Sequence, residues 1–211
     1  DEFEILEHLI IGSEGTLAFI EEITYYTVED LKDKASALIY FKDMKEACSA
    51  VTKLKLARDS KQIIVDAVEL MDRAGLKSIE QDPAMPEYIK DFGDEVTALL
   101  IETRAINDEQ LNIQIAQIEE LLKEFNVVRD IYFTKDEYEY TLYWKIRKGL
   151  FPAVGAVRVT GTTVIIEDVA YPIECLAEAT LELQDLFKKY GYSEALIFGH
   201  ALEGNFHFVF T

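Results

Sequence analysis

His200 and His207 are two of the three histidines in the 211-residue chain, and only six residues separate them. The stretch reads Y-S-E-A-L-I-F-G-H, then A-L-E-G-N, then F-H-F-V-F-T. Two apolar, aromatic-rich runs around Glu203-Gly204-Asn205 signal a β-hairpin. Side chains alternate along a strand, which groups Phe206, Phe208 and Phe210 on one face and His207 and Val209 on the other. A symmetric loop would set His200 directly across from His207. Facing Cβ atoms lie roughly 4.5–5.5 Å apart, within reach of one shared metal ion. The competing reading is a pair of hydrogen-bonded core histidines.

A second candidate is Gly12-Ser13-Glu14-Gly15-Thr16. Two glycines in a short polar turn let the backbone approach a ligand closely, and the free amides of such a turn can cradle a phosphate. An ordinary turn is the alternative.

The formal net charge is −19, which argues against nucleic acid or an anionic membrane surface as a general partner. Cys48 and Cys175 are far apart and form no metal or redox spacing. They read as reduced thiols, which favours a cytoplasmic setting, soluble or peripheral to a membrane. No apolar run reaches about 18 residues, so no transmembrane helix is expected. The chain opens at Asp1 on a strand-like segment and closes at Thr211 inside another, as a fragment of a longer protein would.

The elements that position these residues alternate between strand and helix. An apolar stub at residues 5–11 precedes the glycine turn, and a strand rich in β-branched and aromatic residues follows it. Ala37–Phe41 reads as a strand. Asp43 and Glu46 form a capping box for a helix with Ala47, Val51 and Leu54 on one face. Gln62–Val65 reads as a strand and Ala67–Gly75 as a short helix stopped by glycine. Residues 78–94 are acidic and proline-containing and read as a loop. Val96–Thr103 is a strand, and Asp108 opens a helix with Leu111, Ile115, Ile118, Leu122 and Phe125 at helical spacing. Val127–Phe133 reads as a returning strand. Thr134 and Glu137 form a second capping box for a helix over Lys135–Arg147, ended by Gly149 and Pro152. Residues 149–163, punctuated by glycine and proline, read as a loop near something functional or simply a long connection. Thr163–Asp168 is a strand, and Pro172–Tyr190 a helix stopped by Gly191. The fold class is therefore α+β: a largely antiparallel sheet with helices on one face, built from doubled ferredoxin-like units.

Three motifs in order resemble one family. H-L-I-I-G-S-E-G-T-L looks like the segment that ends the flavin-binding domain of vanillyl-alcohol-oxidase type flavoenzymes. E-D-V-A-Y-P and G-H-A-L-E-G-N-F-H look like the E-D-V-x-V-P and G-H-x-G-D-G-N-x-H signatures of their FAD-linked oxidase C-terminal domain. W-K-I-R-K-G-L-F-P matches ahead of the second motif. The branch it most resembles contains D-lactate dehydrogenases, glycolate oxidase and D-2-hydroxyglutarate dehydrogenase. Ala201-Leu202-Glu203 departs from the x-Gly-Asp more often found there.

The resemblance implies an FAD-dependent dehydrogenase or oxidase that converts a 2-hydroxy acid to the 2-oxo acid. It implies that His200 and His207 hold a divalent ion, zinc or manganese, with a third carboxylate ligand in a motif beyond Thr211. It implies that Arg147 binds the substrate carboxylate, although a cation near a helix C-terminus is also unremarkable. These three are the expected catalytic residues, and Gly12, Ser13, Glu14, Gly15 and Thr16 the expected FAD-contacting ones. Residues 1–24 would be the end of the FAD-binding domain with its crossover strand, and residues 25–211 the C-terminal, substrate-binding domain, truncated. The expected partners are a small 2-hydroxy acid, the missing FAD-binding domain, and an electron acceptor or iron–sulfur domain. Alone, the chain is expected neither to hold FAD nor to turn over. The reading from another class is a small-molecule-binding regulatory module without catalysis.

Overall fold

Two halves of the sheet repeat one arrangement and meet at a seam, as a computed structural model describing residues 2–81, 85–157 and 160–211 shows. Expected loop residues 82–84 and 158–159 lie outside the described residues. The chain divides into two compact units, Asp1–Asp30 and Leu31–Thr211.

In the first unit the expected strand-like stub is instead a helix, α1, Glu2–Ile10. Acidic Glu2 and Glu4 in its first turn and His8 in its last suit the helix dipole. Residues 17–28, expected as a strand, form none, and Phe19, Tyr25, Tyr26 and Val28 stand exposed. A strand needs a neighbour for its backbone groups, and this segment has none among the described residues.

The second unit holds a six-stranded, wholly antiparallel sheet: β1 (Asp33–Phe41), β2 (Ala67–Met71), β3 (Thr97–Ala105), β4 (Ile165–Ala170), β5 (Leu196–His200) and β6 (Asn205–Phe210). The spatial order is β1-β3-β2-β5-β6-β4. In each half a strand leads through a helix to a second strand, and a third strand inserts between the two. The halves join where β2 pairs with β5. This is the doubled ferredoxin-like arrangement expected. Val127–Phe133, expected as a strand, is reduced to an isolated bridge at Val127, to Phe41, with a second bridge just past it at Thr134, to Ser36, along the outer edge of β1.

Helices α2 (Met44–Asp59), α4 (Asp108–Leu122) and α6 (Leu176–Tyr190) cover one face. Their apolar stripes, including Val51, Leu54, Leu111, Ile118, Leu183 and Phe187, pack on Ile39, Leu70, Leu99, Ile197 and Phe206 of the sheet. The other face is covered in part by α3 (Arg73–Ile79) and α5 (Glu137–Val157), through Leu76, Ile146 and Leu150 on Met71, Leu100 and Phe198. The helices are therefore not confined to one face. β3 is buried along almost its whole length, on both sides, and such a strand needs a cover on each.

Local differences have local causes. Asp43 caps α2 by accepting from Glu46 N at 2.9 Å, but the Glu46 carboxylate accepts from Asn126 N instead of closing the box. Ala67–Met71 is strand β2, because Val68 and Leu70 face one core and Glu69 and Met71 the other side, a period of two that a short apolar run conceals. Gln62–Val65 is not a strand, and the helix begins only at Arg73, where Asp72 Oδ1 accepts from Gly75 N at 2.7 Å. At α5, Asp136 rather than Thr134 caps the helix, accepting from Glu139 N at 3.0 Å. The helix also runs through Gly149 and Pro152. Packing of Ile146 and Leu150 holds this helix to the sheet, and tertiary burial overrides the weak local stop.

Candidate functional site

The hairpin forms with a tighter connection than a symmetric loop across the two histidines requires. A 3-10 turn, Ala201–Glu203, and Gly204 in the left-handed conformation (φ 64°) link β5 to β6, so His200 pairs with Asn205 and His207 with Phe198. The expectation that the histidines face each other directly is corrected: they lie on a diagonal. Because Phe198 and His200 share a face, both imidazoles still lie on the same side of adjacent strands. Their ring centroids are 5.3 Å apart and nearly perpendicular. Phe206, Phe208 and Phe210 face the opposite core, as the alternation predicts.

The glycines of the motif are required by close approach. A Cβ on Gly199 would lie 2.4 Å from Asn205 O and 2.7 Å from Phe206 Cα. One on Gly204 would lie 2.1 Å from the carbonyl oxygen of Tyr171. Tyr171 N donates to Gly204 O at 3.0 Å, and Asn205 Nδ2 donates to Val169 O at 3.2 Å. The exit of β4, E-D-V-A-Y-P, is thereby laced to the Gly-Asn turn.

Each imidazole has a carboxylate partner on its neighbouring strand. His200 pairs in register with Glu69 of β2, and its Nδ1 lies 2.7 Å from Glu69 Oε1. His207 pairs with Asp168 of β4, and its Nδ1 is hydrogen-bonded to Asp168 Oδ1. The His200 side chain is 56 % exposed and that of His207 20 %. Arg147 reaches the same face from α5: Nε and Nη2 lie 2.9 Å and 2.8 Å from Glu69 Oε2, and its guanidinium sits 4.6 Å over the Phe198 ring. One turn earlier, Trp144 Nε1 donates to buried Glu102 Oε2 at 2.6 Å. Arg147 and Trp144 thus fasten α5 to two sheet carboxylates.

Glu69 did not stand out in the sequence, because A-V-E-L-M reads locally as helix. Its one signal is a lone charge in an apolar run. Asp168 lies inside the E-D-V-A-Y-P motif, but its role depends on the β4–β6 register. Glu203 turns to α2, with Arg58 Nη1 at 3.1 Å and Lys55 Nζ at 3.4 Å. Partial burial pushes its pKa up, but Arg58 and Lys55 outweigh this and hold it below the usual carboxylate range.

Gly12, Ser13, Glu14, Gly15 and Thr16 belong to the first unit and are described by themselves. Ser13 O accepts from both Thr16 N (2.9 Å) and Thr16 Oγ1 (2.6 Å), and Gly12 and Gly15 have φ of 81° and 76°. No group of three His, Cys, Asp or Glu side chains converges for a metal among the described residues. The two-histidine donor set nonetheless suits a divalent ion. In both rings Nδ1 is occupied by a carboxylate and Nε2 is the nitrogen left to ligate, the arrangement in which supporting carboxylates orient metal-binding imidazoles.

Residues 31–211 match the model of the C-terminal domain of FAD linked oxidases, and the chain belongs to that family. A mitochondrial D-lactate dehydrogenase [cytochrome] of Kluyveromyces lactis is 28% identical over 205 residues, covering 96% of this chain and 34% of its own. A glycolate oxidase subunit GlcD of Bacillus subtilis is 26% identical over 203 residues, covering 96% of this chain and 40% of its own. The chain thus spans roughly a third to two-fifths of such relatives. An alkyldihydroxyacetonephosphate synthase structure shares the fold with TM-score 0.67 and 16% identity, over 97% of this chain and 41% of that one. No helix among the described residues is long and apolar enough to cross a membrane.

Proposed function

We propose that this chain is the substrate- and metal-facing domain of an FAD-dependent oxidoreductase that oxidises a 2-hydroxy acid to the 2-oxo acid. The observation that carries the reading is the placement of His200, His207 and Arg147 on one face of the β2–β5–β6 sheet, each held by a carboxylate. The named activities of the D-lactate, glycolate and D-2-hydroxyglutarate relatives supply the substrate class. In the complete protein FAD supplies the hydride acceptor, and a zinc or manganese ion supplies polarisation of the substrate hydroxyl.

The residues of this chain bind and orient. Nε2 of His200 and of His207 are the ligands offered to the ion, with a further carboxylate expected from beyond Thr211. Arg147 uses one edge of its fork on Glu69 and retains donors for the substrate carboxylate. Phe198 lies beneath the guanidinium and beside the His207 ring, at 5.3 Å, and keeps water from that side. Gly12–Thr16 would meet the flavin through backbone amides, and residues 1–24 would end the flavin-binding domain. The free state of Cys48 and Cys175 suits a reducing, cytoplasmic setting.

The test uses the full-length protein with its flavin. Anaerobic mixing with D-lactate, glycolate or D-2-hydroxyglutarate should bleach the oxidised flavin band, and Arg147→Met should weaken substrate binding with the flavin retained. A flavin that none of these acids reduces would overturn the reading.

A further inference from the structure

Glu69 stands at the seam of the two half-sheets, 6 % exposed, with both carboxylate oxygens occupied. Oε2 takes two donors from Arg147, at 2.9 Å and 2.8 Å, and Oε1 meets His200 Nδ1 at 2.7 Å. A guanidinium can only donate, and an ionised carboxylate can only accept. The donor to Oε1 must then be His200 itself. We propose that Glu69, fixed in place by Arg147, is a positioning residue that sets the tautomer of His200: it holds the proton on Nδ1 and leaves the Nε2 lone pair facing the open side of the sheet.

The arrangement makes the sequence order matter. Arg147 comes from α5 and His200 from β5, while Glu69 lies on β2 between them in space. The ion pair that clamps α5 to the sheet is therefore also the device that dictates which nitrogen of His200 is available. The rule rests on hydrogen-bond polarity and does not require a bound ion. It bears on the proposed function only in that a ligand must carry an Nε2 lone pair.

A substitution that keeps size but changes polarity gives a sharp consequence. In Glu69→Gln, Arg147 still demands an acceptor, so the amide oxygen must turn to Arg147 and the amide NH2 to His200. His200 Nδ1 then becomes an acceptor, and its proton moves to Nε2. A merely structural role for Glu69 predicts no such inversion.

The experiment is nitrogen-15 NMR of histidine-labelled, metal-free protein at a pH where the imidazoles are neutral, with His200 assigned by its loss in His200→Ala. The wild-type chain should show His200 as the Nδ1–H tautomer, and Glu69→Gln should show it as Nε2–H. Zinc titrated into each should bind at least about tenfold more weakly to Glu69→Gln, the scale expected when a supporting carboxylate is lost. An Nε2–H tautomer in the wild type, or an unchanged Nδ1–H tautomer in a folded Glu69→Gln, would overturn the proposal. Should that variant fail to fold, the wild-type tautomer decides. Zinc binding that fails in both proteins while the tautomers behave as expected would remove the metal reading and leave the positioning role standing.

Discussion

His207 stands opposite Phe198 and diagonal to His200, and the two imidazoles nevertheless lie on one face with centroids 5.3 Å apart. The proposed ion would take a ligand from each ring, so neither ring would substitute for the other. His200→Ala and His207→Ala should each lower zinc affinity by more than about tenfold in isothermal titration. The far-ultraviolet circular dichroism should be unchanged. Retention of wild-type affinity by either variant would separate that histidine from the site.

The hairpin tolerates no side chain at two positions. Gly204 combines a φ of 64° with a Tyr171 oxygen 2.1 Å from where a Cβ would stand, and Gly199 meets Asn205 O at 2.4 Å. Backbone lies on the far side in both cases, and it cannot step aside as a flexible side chain does. Gly199→Ala and Gly204→Ala should each cost more than about 2 kcal/mol, read as a lower urea midpoint. A loss below about 0.5 kcal/mol, typical of an unconstrained surface position, would contradict the register.

Asp72 links α3 to β5: its Oδ1 accepts from Gly75 N at 2.7 Å and its Oδ2 from Ile197 N at 2.8 Å. Complete burial pushes its carboxyl up to about 7, against the pull of these amides. The folded state therefore holds this proton more tightly than the unfolded one. Its contribution to stability is largest at acidic pH, declines as pH rises from about 4 to about 7, and is flat above. Asp72→Asn should lower stability overall, because an amide NH2 would face one of the two donors. It should also remove this decline, so that the wild-type and variant urea midpoints differ more at pH 4 than at pH 8. A constant difference across that range would show that the group does not titrate there.

Trp144 is the single tryptophan of the chain, and its Nε1 serves a carboxylate that is almost wholly buried. Glu102 also accepts from Ser36 Oγ at 3.1 Å and Arg104 Nε at 2.8 Å. Trp144→Phe keeps an aromatic ring and removes one donor from that group. Thermal unfolding should report a loss of about 1–3 kcal/mol. Trp144→Phe with wild-type stability would mean that Ser36 and Arg104 satisfy Glu102 without it.

The residue types and their order settle much of this protein without coordinates. Alternation along F-H-F-V-F sorts the aromatic side chains from His207. Helical spacing in Leu111–Leu122 and the glycine stop after Tyr190 mark α4 and α6. The three motifs, read in order, identify the family. Each of these rests on a period or a local backbone rule that operates within a few residues. The tertiary structure alone decided the rest. Whether His200 faces His207 or Asn205 depends on a four-residue connection whose geometry is fixed by Tyr171, the residue just past the end of β4. Glu69 belongs to a segment whose local pattern suits a helix, and it becomes a strand residue because β3 and β5 offer backbone partners on both sides. Arg147 carries on its helix no sign of the carboxylate it will meet. Such contacts join residues dozens of positions apart, and their energies appear only once the sheet has brought them together.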